Sequence, residues 1–297
     1  SRKYSKELVS FAFPCRRCLA CRLNIAREKA VRCVHEASQH KQNIFLTLTY
    51  DEKNLTSPRL QYLDFQLFIK RLRDHITRNI HDKDVRDSLK ISLMVTGEYG
   101  DKKKRPHWHA IIFNYAPTDA KRKYTSHTGD QVYSSELLTE LWGKGVTEYG
   151  AVTLESAGYV ARYAAKKLVH GKDQEHDYHP IHKTSSKNAI GKSWIEKYYE
   201  QTFANGYIIL NGKKASIPRY YLDWCKKNQM PTFTKFLAGI RQETIKLVED
   251  TNTRDELEWI SNTINYESGA TYPLKKSGVK HTILKQKFKQ LQERLKL

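Results

Sequence analysis

Two histidines separated by one residue, a carboxylate just upstream and two tyrosines four residues apart are the side chains whose types and spacing can do chemistry in this chain. His107 and His109 lie in "RPHWHAIIF" at the start of a predicted strand. Alternate residues of a strand share a face, so both imidazoles can meet one metal ion. Two histidines on a strand can also be ordinary half-exposed sheet residues, so their neighbours carry the weight. Glu98 closes the preceding apolar run, and the link "YGDKKKRP" between them has the Gly and Pro of a reversal. Hairpin pairing brings its carboxylate beside the imidazoles, a mixed oxygen and nitrogen site with open positions. Such a site can hold Mg²⁺ or Mn²⁺ against a phosphate oxygen. Downstream, "ESAGYVARYAAKK" sets Tyr159 and Tyr163 one above the other on a predicted helix, with Arg162 and Lys166 each three residues further on. A phenolate can attack a phosphodiester, and the phosphotyrosine formed conserves the energy of the broken bond for rejoining. Nearby cations stabilise the phenolate and the charge on the transferring phosphate. In a chain with 18 tyrosines such a pair can equally be core or surface aromatics; it is the combination with the histidines that points to phosphodiester transfer.

The elements that must position these groups follow from apolar periodicity. Residues 22–41 carry Leu23, Ala26, Ala30, Val34 and Ala37 at helical spacing. Residues 43–50, "NIFLTLTY", read as a strand. Asp64 is the expected N-cap of a helix reaching about residue 80, with Phe65, Phe68, Ile69, Leu72 and Ile76 on one stripe. Residues 90–98 and 107–114 form a hairpin, followed by a helix at 135–142, a strand at 146–154 and a helix at 155–169. This order predicts an α+β fold, a central antiparallel sheet flanked by helices, rather than a parallel doubly wound sheet. A second hairpin is expected at 206–217, then helices to the C-terminus, the last of them (280–297) strongly basic. The organisation expected is a cysteine-rich segment and first helix (1–42), a core (43–170), an extension with the hairpin (171–225) and a basic helical region (226–297).

Charge and cysteine usage narrow the class. The chain carries 52 Lys and Arg against 32 Asp and Glu, a formal net charge of +20. The charge is spread along the sequence, as suits a surface that follows phosphates over many nucleotides. No apolar run approaches bilayer length, and residues 1–6 are polar and basic, unlike a secretory signal; the expectation is a soluble, intracellular protein with no membrane partner. Cys15, Cys18 and Cys21, with Cys33 on the following helix, crowd one stretch and suggest four thiolates for a structural Zn²⁺. A gap of two repeated twice is not the common two-pair zinc pattern, so an iron–sulfur cluster or plain buried thiols stay open. His170, His176, His179 and His182 sit in a polar stretch and read as solvated. "GKS" at 191–193 lacks both the first glycine of a phosphate loop, where Ser186 stands, and a preceding strand, which argues against an ATPase.

The order "FLTLTY", "GEYGDKKKRPHWHAIIF", "GYVARYAAKK" resembles the three motifs of HUH endonucleases with two tyrosines. "PCRRCLACRLNIAREKAVRCVHEAS" and "GYIILNGKKASIPRYY" are similar to gokushovirus (Microviridae) replication initiation proteins. The resemblance covers most of residues 13–225. It implies an HUH/Rep-type fold, His107 and His109 as metal ligands with Glu98 a third, Tyr159 and Tyr163 as nucleophiles, and Lys166 or Lys167 beside the phosphate. It further implies metal-dependent nicking of single-stranded origin DNA for rolling-circle replication, through a covalent 5′-phosphotyrosine. The host helicase and DNA polymerase would be partners, in the cytoplasm of an infected bacterium. The spacing of Tyr163 and Lys166, like that of single-tyrosine relatives, favours Tyr163 for the first attack, and Trp108 and Tyr99 are expected to stack on the strand. Two other readings remain. One is a non-catalytic basic nucleic-acid-binding protein with a zinc module, whose binding would survive loss of both tyrosines. The other is the same chemistry used in plasmid mobilisation or transposition, disfavoured because the tyrosines follow the histidines.

Overall fold

The structure, a computed structural model, describes residues 14–16, 18–78, 80–100, 103–126, 129–166, 181–186, 188–265 and 273–294. The chain opens with helix α1 (Leu19–Ala37), whose alanines face the sheet, and enters it through β1 (Asn43–Thr49). Helices α2 (Tyr62–Thr77) and α3 (Lys83–Ser88) lead to the hairpin β2 (Ser92–Tyr99) and β3 (Pro106–Phe113). A second hairpin, β4 (Lys121–Thr125) and β5 (Gln131–Ser134), precedes α4 (Glu136–Trp142), β6 (Thr147–Gly150) and α5 (Leu154–Lys166). After β7 (Ile181–Thr184) come α6 (Lys192–Asn205), the small hairpin β8 (Ile208–Leu210) and β9 (Lys213–Ala215), and the helices α7 (Arg219–Lys227), α8 (Pro231–Ala238), α9 (Ile240–Ile264) and α10 (Lys276–Arg294). No helix among the described residues is long and apolar enough to cross a membrane.

The fold is α+β: a seven-stranded antiparallel sheet in the order β4-β5-β6-β1-β3-β2-β7, with helices on both faces. The alternation of each central strand decides which side chain goes to which face. Leu46, Leu48, Val95, Trp108, Ala110 and Ile112 point to one side, where Phe65, Phe68 and Leu72 of α2 and Leu138 and Trp142 of α4 cover them. Met94, Ile111 and Phe113 point to the other, against Ala26, Ala30 and Cys33 of α1 and Ala157, Val160 and Ala161 of α5. Alanines on both helices let α1 and α5 lie close together over the sheet. A separate cluster around Ile195, Phe203, Tyr221 and Phe236 joins α6, α7 and α8 to Val31 of α1.

Several sequence expectations shift for local reasons. Asp64 is not the N-cap of α2: Gln61 holds that position, and Asp64 sits in the first turn, where it accepts a hydrogen bond from the Tyr50 hydroxyl (3.0 Å) and its charge complements the helix dipole. Ser135 does cap α4, accepting from the Leu138 N–H at 3.0 Å. The strand expected at 146–154 ends at Gly150, because Thr153 and Ser156 exchange hydrogen bonds (Ser156 N to Thr153 Oγ1, 3.1 Å; Thr153 N to Ser156 Oγ, 2.8 Å) and start α5. β4 and β5 escaped the sequence reading because "KRKYT" is exposed throughout and "QVYS" is only half-buried, so neither shows apolar alternation. β7 arises in the polar, histidine-rich stretch and pairs with β2, with Met94 opposite Thr184 and Gly97 opposite Ile181. The helical reading of 167–169, Lys167, and His170, His176 and His179 lie outside the described residues.

Gly97 has a packing reason. It faces Trp108 across the β2–β3 ladder, and a Cβ there would fall 2.5 Å from Trp108 Cζ3 and 2.9 Å from Leu60 Cδ2. Gly97→Ala is therefore expected to lower unfolding stability by about 1–3 kcal/mol. A urea titration measures it; an unchanged midpoint would contradict the packing.

Candidate active site

The β2–β3 register sets Glu98 opposite His107, and the β1–β3 register sets Thr47 opposite His109. All four residues share the α1 and α5 face of the sheet by strand alternation. Glu98 Oε1 lies 3.0 Å from His107 Nε2 and 2.9 Å from His109 Nε2. The carboxylate oxygen and one ring nitrogen from each histidine lie within 4.8 Å of one another.

Hydrogen bonds behind the rings fix their orientation. His107 Nδ1 donates to the Arg105 carbonyl (3.2 Å), so in the neutral ring Nε2 keeps its lone pair and aims it at a carboxylate oxygen. His109 Nδ1 meets Thr47 Oγ1 at 3.0 Å, a hydroxyl that can accept its N–H. Lone pairs facing a carboxylate across 3 Å require a proton or a cation between them. One carboxylate and two imidazoles suit a divalent metal, so the residues fit the ion that the resemblance implies. Burial drives the Glu98 carboxyl upward, yet hydrogen bonds and charge from His107 and His109 outweigh it and hold the carboxyl down at about 2. Burial also lowers the His109 imidazole below its ordinary range, favouring the neutral ligand form. Thr47→Val removes the support behind His109 and is expected to weaken Mn²⁺ binding about 10–100-fold. Calorimetric titration with Mn²⁺ checks this, and unchanged affinity would remove Thr47 from the site.

Tyr159 joins the same cluster from above. Its hydroxyl donates to Glu98 Oε1 at 3.0 Å. Its ring stands edge-on to His109 (centroids 5.1 Å apart) and to Phe45 (6.3 Å), both on the sheet below. The start of α5 at Leu154 and the packing of Ala157, Val160 and Ala161 fix this placement. Tyr163 follows one turn later in α5, near Lys166 at the end of the described helix. Lys103 and Lys104 lie exposed in the β2–β3 turn beside His107, and Arg105 is anchored there by Glu52 and by the Tyr50 carbonyl (2.8 Å).

Two expectations for neighbouring residues do not hold. Trp108 cannot stack on a nucleotide: it is fully buried on the opposite face under α2, and its indole N–H donates to the Tyr50 hydroxyl (3.1 Å). Tyr99 is half-buried, its hydroxyl accepting the Leu60 N–H at 2.9 Å. Cys15, Cys18 and Cys21 do come together, but Cys33 does not join them. It lies three helical turns away in the core against Met94 Sδ (3.8 Å), where burial pushes its thiol up to about 12. His182 lies in β7, opposite Thr96 of β2.

Comparison with known proteins gives a consistent picture. The family model for the replication-associated protein ORF2 matches residues 43–168, which run from β1 through α5. The chain is 57% identical over 298 residues to replication-associated protein VP4 of Bdellovibrio phage phiMH2K, covering 100% of this chain and 94% of that protein. It is 34% identical over 227 residues to replication-associated protein ORF4 of Chlamydia phage 1, with 73% of this chain and 54% of that protein covered. To replication-associated protein ORF2 of Spiroplasma virus 4 it is 30% identical over 228 residues, with 72% and 68% covered. No solved structure matches.

Proposed function

This chain belongs to the gokushovirus family of phage replication-associated proteins, and we propose that it initiates replication of the phage genome by nicking a single DNA strand with Tyr159. The observation that carries the reading is the convergence on one carboxylate oxygen of the Tyr159 hydroxyl and two imidazole nitrogens, all within 3.0 Å. A non-catalytic binding surface has no use for a buried carboxylate between two imidazoles, since burying such charge is costly.

Glu98, His107 and His109 would hold Mg²⁺ or Mn²⁺, which supplies Lewis-acid polarisation of the scissile phosphate. The chain's own residues do the rest. Glu98 accepts the Tyr159 O–H, holding the phenol oxygen beside the place a phosphate must occupy. Oη attacks phosphorus, the Tyr159 O–P bond forms and the P–O3′ bond breaks. The departing 3′ oxygen gains one proton for the one the phenol loses, leaving a 5′-phosphotyrosine and a free 3′-hydroxyl for a polymerase to extend. Tyr163, one turn along α5, would make the second attack when the origin is regenerated, and the released 3′-hydroxyl would then displace Tyr159 and close a circle. Lys166, Lys167 and the cations of the β2–β3 turn would face the phosphates. The work would take place in the infected host cell, with unwinding left to a host helicase.

The test is incubation with single-stranded origin DNA labelled downstream of the nick, followed by a denaturing gel. A labelled band moving with the protein is expected with Mn²⁺ or Mg²⁺ and absent with a chelator. DNA bound tightly with no adduct on any origin strand would favour the non-catalytic reading.

A further inference from the structure

Cys15, Cys18 and Cys21 stand apart from the site above, at the start of α1. Cys18 is the N-cap residue, and its side chain makes no capping hydrogen bond. Cys21 lies in the first turn. Cys15 and Cys18 are exposed and Cys21 is half-exposed, so none of the three is there to fill a core. Their sulfurs lie within 4.8 Å of one another, with Cys15 Sγ and Cys21 Sγ 3.8 Å apart.

The turn between them is shaped for this convergence. Arg16 adopts a left-handed conformation (φ 57°), which turns the Cys18 N–H onto Cys15 Sγ at 3.3 Å. The Arg16 backbone N–H hydrogen-bonds the Cys21 sulfur. Backbone donors aimed at sulfur favour thiolate over thiol, and so does the positive end of α1, which has no acidic residue in its first turn.

We propose that Cys15, Cys18 and Cys21 bind one Zn²⁺ through three thiolates, with an open fourth position for solvent or another ligand. The sulfur spacing selects zinc among the thiolate metals and clusters. With Zn–S bonds of about 2.3 Å, tetrahedral coordination places sulfurs about 3.8 Å apart, the separation of Cys15 and Cys21. The spacing C-x₂-C-x₂-C also occurs in iron–sulfur proteins. There each thiolate takes its own iron, which would spread the sulfurs, and a further cysteine is needed. Cys33 and Cys225 are buried in two different core clusters and cannot serve.

The site has a structural consequence. α1 packs its Ala26 and Ala30 on α5, the helix of Tyr159, and its Glu28 accepts from the Arg219 N–H of α7 (3.3 Å). Zinc at its first turn would lock the entering chain onto the helix that ties the sheet to the α6–α8 cluster.

Metal analysis of the full chain, purified from zinc-supplemented cells and passed over a weak chelator, tests the proposal. The His107→Ala/His109→Ala variant is measured in parallel so that metal at the other site is not counted. About one zinc per chain is expected in both. In the wild-type chain reconstituted with Co²⁺, ultraviolet thiolate-to-cobalt charge-transfer absorption is expected, and the oxygen and nitrogen site cannot produce it. Cys18→Ser should abolish that absorption and Cys33→Ala should leave it. Zinc-free wild-type protein without the cobalt band would overturn the proposal whatever the variants do. So would iron with acid-labile sulfide, or a zinc content untouched by replacing all three cysteines with serine.

Discussion

Tyr159→Phe is expected to reduce formation of the covalent DNA adduct by on the order of 10³-fold, about 4 kcal/mol of barrier. Phenylalanine keeps the ring packing on His109 and Phe45, so stability should change little while the attacking oxygen is gone. Tyr163→Phe, one turn further along α5 and so about 6 Å along its axis, should leave the first cleavage within about tenfold and abolish circle closure. A time course of adduct formation on single-stranded origin DNA measures the first effect, and conversion of a linear to a circular strand measures the second. If Tyr163→Phe instead eliminated the first adduct and Tyr159→Phe did not, the order of attack would be reversed.

Glu98→Gln and His107→Ala should each lower cleavage by roughly 10²–10⁴-fold, the scale of several kcal/mol of charge stabilisation at the phosphate. Glutamine keeps the shape and can still accept from Tyr159, but it is neutral and a poorer ligand for a divalent ion. Affinity for single-stranded DNA should stay within about twofold, because it comes from cations spread over a chain of net charge +20. Cleavage kinetics and a binding titration at one salt concentration separate the two effects. Equal losses of binding and cleavage would mean that these residues support the DNA-binding surface instead.

The metal-site trio was legible in the sequence because it depends on local geometry alone. A two-residue alternation and a hairpin turn are enough to set Glu98 opposite His107. The same alternation excludes Trp108 from the DNA side: a residue between two histidines that share a face must point the other way, into the α2 core. Thr47 was not legible, since its role depends on β1 lying next to β3, strands separated in sequence by two helices and β2. Helix periodicity placed Tyr159 and Tyr163 together on α5 but could not say which hydroxyl reaches Glu98. That depends on how close the alanines of α1 and α5 let the helix approach the sheet. Cys33 looked like a fourth thiolate by proximity in sequence, whereas a helix carries twelve residues about 18 Å from Cys21. The hairpin β4–β5 left no apolar trace because both strands are solvent-facing.

The most direct measurement is mass spectrometry of the protein after reaction with Mn²⁺ and single-stranded origin DNA, nuclease trimming and trypsin digestion. Trypsin cuts after Arg162, so Tyr159 and Tyr163 fall in separate peptides, 145–162 and 163–166. A nucleotide attached through phosphate to Tyr159 in peptide 145–162 is the predicted result. A phosphotyrosyl nucleotide at neither tyrosine, under conditions where the DNA is cut, would contradict the account.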